Sequence, residues 1–146
     1  MKKMKKFKKS LAALLLALAV VMCAACGTKN TVPKEGLWET ATYLADTEIG
    51  KGATTLTTKV VAGDNEITFI VHTDKTTVGA ALLEAGLVSG DETAYGLYVK
   101  VVNGITADYD VDQSYWAFYI DGEYAMTGVD STDIVEGTVY SLEYTK

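Results

Sequence analysis

The chain has no arginine, a single histidine, a single proline and two cysteines, both within its first 26 residues. After Gly27 it holds 7 lysines against 19 aspartates and glutamates, a net charge of −12. So acidic a surface repels phosphate, which excludes nucleic acid and anionic lipid headgroups as partners. The lack of cysteine beyond Cys26 leaves no disulfide framework, so stability must come from core packing. Catalytic chemistry is equally short of parts. The one histidine, His72, closes an alternating run with no nucleophile motif around it and reads as a strand-end surface residue. Gly90 and Gly96 do not open a helix, so no phosphate-cradling loop is present, and no acid pair stands out. These shortages predict a binding or scaffolding module, not an enzyme.

What the chain does contain begins with an export signal over residues 1–25. Lys2, Lys3, Lys5, Lys6, Lys8 and Lys9 form a basic start, and an apolar run follows from Leu11 to Met22. At about a dozen residues that run is shorter than the roughly 20 that a spanning helix needs. Ala24-Ala25-Cys26-Gly27 resembles a bacterial lipobox, although Cys23 stands where an aliphatic residue is usual. The resemblance implies cleavage before Cys26, lipidation of its thiol, and a location on the outer face of the cell membrane; the alternative is plain secretion with Cys26 free or lost. The lipid would be the only contact with the membrane.

Residues 26–36 are polar, carry the only proline and lack a hydrophobic period, so they read as a flexible tether. Residues 37–53 mix apolar and acidic side chains and are predicted to be an extended arm laid against the domain. The folded domain is expected over residues 54–146. Within it, Thr54–Ala62 and Glu66–Thr73 alternate in polarity around the turn Gly63-Asp64-Asn65, which predicts a hairpin. Val78, Ala81, Leu82 and Ala85 form one stripe of a short helix begun by Thr76-Thr77 and ended at Gly86. Strands are predicted over Tyr95–Val102, Ser114–Ile120 and Thr138–Tyr144, with turns at Asn103-Gly104 and Asp121-Gly122 and a polar acidic loop reaching Gln113. The class is therefore α+β: a β-grasp-like mixed sheet with one short helix packed on one face.

Ser114-Tyr115-Trp116-Ala117-Phe118-Tyr119-Ile120-Asp121-Gly122, then Gly128-Val129 and Glu136-Gly137-Thr138, resembles the transcobalamin-like C-terminal domain family. Thr77-Val78 before Leu82-Leu83, and Gly96 before Val99, Val102 and Asn103-Gly104, are similar to that family's helix and glycine-containing strand. The likeness spans residues 54–146. It implies a small β-grasp-type fold. In the animal vitamin B12 carriers the similar domain closes over one face of a corrin, and bacterial members are mostly exported or lipid-anchored, some described as metal binders. The large helical barrel of those carriers has no counterpart in a chain this short.

Two candidate sites follow from the residues. In the strand Tyr115–Ile120, Trp116, Phe118 and Ile120 point one way, assigned to the core, and Tyr115, Ala117 and Tyr119 the other. Tyr115 and Tyr119, joined by Tyr98 and Tyr124, would form an aromatic platform for a small flat ligand such as cobalamin or another corrinoid. The same rings also suit ordinary cross-strand pairing. The second candidate is Asp108, Asp110 and Asp112, alternate carboxylates beside Asn103 on a loop that could bind calcium. It is no EF-hand, because Gln113 and Tyr119 stand where glycine and glutamate are needed. A solvated acidic loop is the simpler reading. The sequence thus supports a lipid-anchored extracytoplasmic module for a small ligand, or alternatively a calcium-binding adhesion module that pairs with a surface protein.

Overall fold

The computed structural model describes residues 28–146; the signal residues and Cys26 lie outside them. In chain order the strands are β1 (Thr47–Gly50), β2 (Thr54–Ala62), β3 (Asn65–Thr73), β4 (Val88–Thr93), β5 (Gly96–Val102), β6 (Ile105–Thr106), β7 (Tyr115–Ile120), β8 (Glu123–Tyr124) and β9 (Val139–Thr145). One helix, α1 (Val78–Glu84), stands between β3 and β4, and Tyr109–Asp112 make one further helical turn.

Six strands form a mixed sheet in the order β1-β3-β2-β9-β7-β8. β9 lies parallel to β2 and antiparallel to β7. A hairpin, a crossing helix and a last strand inserted beside the first make the β-grasp order, as the α+β reading expected. The turns are those the sequence signals. Asn103-Gly104 (φ 52° and 78°) and Asp121-Gly122 (φ 48° and 82°) put both central residues at positive φ, the geometry that suits the twist of a two-residue hairpin. Thr77 caps α1 by accepting the Ala80 N–H at 3.3 Å, and Gly86 ends the helix at φ 70°.

The prediction is corrected in three places. First, Gly96–Val102 does not join the main sheet: with β4 and β6 it builds a separate three-stranded sheet. Secondly, the expected arm at 37–53 is integral to the domain. Trp38 is 1% exposed and donates its indole N–H to the Ala62 carbonyl at 3.0 Å, while Thr47–Gly50 pair in parallel with Phe69–His72. Thirdly, the tether expected to reach residue 36 is anchored from residue 30 onward. The Asn30 side-chain amide donates to the Glu66 carbonyl, the Val32 N–H donates to Leu44 O, and Val32 is buried. An apolar residue with a place in a core is not free to wander, whatever the polarity of its neighbours.

The core lies on one side of the large sheet. Leu56, Val60, Ile67, Phe69, Val71, Tyr140, Leu142, Trp116 and Phe118 face it. α1, through Val78, Ala81 and Leu82, closes it together with the small sheet and the N-terminal segment. Alternation does the rest. In β2 and β3 every second residue is buried while those between are half-buried or exposed, so the opposite face stays open to solvent.

Candidate binding surface

The open face is floored by the centre of the sheet. Thr57, Lys59, Val61, Thr68 and Ile70 come from the hairpin, Val139, Ser141 and Glu143 from β9, and Tyr115, Ala117 and Tyr119 from β7. Ser141 and Ala117 are buried on this face, small side chains set between the larger Tyr119 and Glu143 of the neighbouring positions. Tyr119 and Tyr124 pair across the β7–β8 ladder with ring centroids 5.6 Å apart at 89°, an edge-to-face contact. Tyr124 is 60% exposed, whereas Tyr115 and Tyr119 are half-buried. Beside Tyr119 lies a shallow depression of about 430 Å³, floored by Val61, Val139 and Ser141 and edged by the charged groups Lys59, Glu66, Asp121 and Glu143. Lys59 and Glu66 pair at 3.0 Å across one side of it. Tyr119 adjoins it as the cross-strand partner of Ser141, and no aromatic ring stands in its own lining.

The four tyrosines do not assemble as one platform. Tyr115, Tyr119 and Tyr124 share the open face, but Tyr98 belongs to β5 and lies on the core side of β7, where it borders the same cleft as Trp116 and Phe118. The local alternation placed Tyr98 correctly on a strand; it carried no information about which sheet the strand would join.

The acidic segment is likewise committed elsewhere. Asp108 caps the turn at 109–112 by accepting the Asp110 N–H at 3.1 Å, and its other oxygen lies 3.5 Å from Lys100. Asp112 accepts both the backbone N–H and the hydroxyl of Ser114 and pairs with Lys146 at 3.2 Å. The donors on Ser114 hold the Asp112 carboxyl below its ordinary value of 3.8, with Lys146 adding to the effect. Lys100 is held above its ordinary value of 10.5, first by its hydrogen bond to Asp91 and then by the charges of Asp108 and Asp91. Asn103, expected beside a calcium site, turns away from the carboxylates. Its side-chain oxygen accepts the Tyr43 N–H and its amide donates to the Tyr43 carbonyl, both at 2.9 Å. Among the described residues no three His, Cys, Asp or Glu side chains are gathered where they could hold a metal ion. The structure therefore does not bring Asp108, Asp110 and Asp112 together as ligands. His72 sits on β3 with its Nε2 2.5 Å from Glu48 on the neighbouring strand.

Residues 75–146, from the start of α1 to the end of β9, match the family model described as Domain of unknown function (DUF4430). No curated protein matches the chain. A solved structure from Ruminococcus gnavus, described as a "putative metal binding protein", is 32% identical with a TM-score of 0.60, over 64% of this chain and 98% of that one. The chain belongs to the same family as that protein. The fold of the family extends further. Haptocorrin, solved in complex with Cbi, superimposes at a TM-score of 0.51 and 16% identity, over 64% of this chain and 25% of its own length. That likeness is one of fold, and it reaches a quarter of the haptocorrin chain.

Proposed function

We propose that the protein is a non-catalytic, extracytoplasmic binding module, anchored through lipid on Cys26, that holds a small flat ligand on the open face of its six-stranded sheet. One observation carries this reading: a sheet face left open by the chain itself, bearing the Tyr119–Tyr124 pair beside a depression of about 430 Å³. That volume falls in the roughly 300–1,000 Å³ range of small-molecule sites. The fold shared with haptocorrin makes a corrinoid the first ligand to try. Titration of the protein with cobinamide and with cobalamin, followed by heat and by the corrin absorption bands, tests it. Binding that weakens at least tenfold in Tyr119→Ala and Tyr124→Ala supports the reading. No heat and no spectral change at about 100 μM removes the corrinoid.

The R. gnavus relative's description favours a second reading, in which Asp108 and Asp112 take a divalent cation after releasing Lys100, Lys146 and Ser114. A ligand at 100 times its dissociation constant adds about 2.7 kcal/mol of stability. Melting curves in millimolar calcium that coincide with those in chelator discard that reading.

A further inference from the structure

The second surface lies on the core side, where the edge of β7 is only partly covered. β8 pairs with Tyr119 and Ile120, and the Ala125 N–H adds one more bond, to the Phe118 carbonyl at 2.9 Å. The chain then departs through Met126 toward Gly128, and a cleft of about 120 Å³ remains between β7 and β5. Its walls are mostly apolar: Leu97, Tyr98 and Val99 of β5, Trp116 and Phe118 of β7, then Val129 and Leu142. The cleft is braced, because the Asp130 carboxylate accepts the Leu97 N–H at 2.8 Å and so ties the β5 wall to the turn that carries Val129. In the two loops leading into its walls stand Tyr95, 97% exposed, and Met126, 93% exposed. Neither contributes to the core, and each stands a residue or two from a wall of the cleft, next to Gly96 and near Gly128.

Size and charge identify the occupant. A volume of about 120 Å³ is well below what a drug-sized ligand fills and matches the seat of one anchoring side chain from a larger partner. Glu92 stands across the ladder from Leu97, and Glu123 across the ladder from Ile120, so both project on the side of the cleft. Neither carboxylate has an ion-pair partner among the described residues. The cation of β5, Lys100, is already taken by Asp91 and Asp108. A second copy of the chain, with the same net charge of −12, is opposed by like charge.

We propose that this cleft docks a basic polypeptide segment, which seats one large apolar side chain between Leu97 and Phe118 and sets lysine or arginine against Glu92 and Glu123. This partner site is separate from the ligand face, from which the six-stranded sheet divides it. The probe is a seven-residue peptide with two lysines on each side of one phenylalanine, spaced by glycine, titrated into the full chain while tryptophan emission is followed. Trp116 lines the cleft and Trp38 is buried far along the sheet against Ala62, so a change in emission reports the cleft. The expected result is a saturable change with the phenylalanine peptide that weakens at least tenfold when alanine replaces phenylalanine or glutamates replace the lysines. Added salt should weaken it further. Tyr95→Ala, Met126→Ala and Glu92→Gln, all at exposed positions, should each lower the affinity several-fold, whereas Tyr119→Ala should not. The proposal is overturned if no peptide gives a saturable change at about 1 mM, or if those three variants bind as the wild type does. It is also overturned if N-acetylphenylalanine amide alone reproduces the effect, or if the emission change tracks self-association that Met126→Ala abolishes.

Discussion

Replacing Asn103 with alanine tests whether the N-terminal segment belongs to the domain. Asn103 is 1% exposed, and its amide makes both hydrogen bonds to the backbone of Tyr43 at 2.9 Å. Its own backbone holds φ at 52°, a region asparagine tolerates and alanine does not. Alanine removes two hydrogen bonds worth about 0.5–1.5 kcal/mol each and leaves the half-buried Tyr43 groups partly unsatisfied. The left-handed backbone adds roughly 1 kcal/mol. The expected loss is therefore about 2–4 kcal/mol in urea unfolding, or roughly 10 °C in melting temperature for a domain of this size. Asn103→Gly separates the contributions, because glycine accepts the backbone but also lacks the amide; it should recover roughly 1 kcal/mol and no more. Hydrogen exchange adds an internal control. The Tyr43 N–H should lose protection, while the Thr42 N–H, bonded to the Asn103 backbone carbonyl at 2.9 Å, should keep more of its own. An alanine variant within 0.5 kcal/mol of wild type, with Tyr43 still protected, refutes the pinning.

Three further outcomes are expected. Gly79→Ala raises helix propensity but places a methyl 2.1 Å from Asp130 Oδ1 and 3.0 Å from its backbone nitrogen, so a net loss of roughly 1–3 kcal/mol should appear in denaturant titration. Tyr140→Phe deletes a buried hydroxyl that accepts the Val135 N–H at 2.9 Å and donates to the Asp133 carbonyl at 3.1 Å; a cost of about 1–3 kcal/mol follows, and an unchanged melt contradicts it. Because the Asp112 carboxyl is lowered in the fold, its contribution is present above the unfolded value of 3.8 and disappears as pH falls through the lower folded value. Asp112→Asn should accordingly flatten the acid limb of the stability curve below about pH 4 while leaving the alkaline limb alone, and parallel acid limbs would count against the assignment.

The elements visible in the sequence were those whose pattern is local. β2 and β3 alternate over nine residues each around a glycine turn, and α1 carries its own cap, stripe and terminal glycine. β1, Thr-Glu-Ile-Gly, is four residues long and pairs in parallel with a strand already formed, so nothing within it announces a strand. β4 is exposed after its first residue and hides its pairing in a polar run. The N-terminal segment did offer a signal in Trp38 and Val32, large apolar residues that polar surroundings disguised as tether and arm. The open face followed from alternation plus a single helix, whereas the separation of Tyr98 from the other tyrosines depends on sheet membership, which is a long-range property. The acidic run was legible as charge; that Ser114 and two lysines would occupy its carboxylates was not.

The position of β9 between β2 and β7 has a consequence for how the molecule comes into being. Thr57 meets Val139, so the middle of the large sheet is closed by residues made some eighty positions later than their partners. While the ribosome still holds that last strand, β2 and β7 have no neighbour through which to join, and the emerging polypeptide stays unfinished whatever else has formed. Long-range pairing of this kind folds slowly. Until β9 arrives, the centre of the large sheet has no strand to join its two halves.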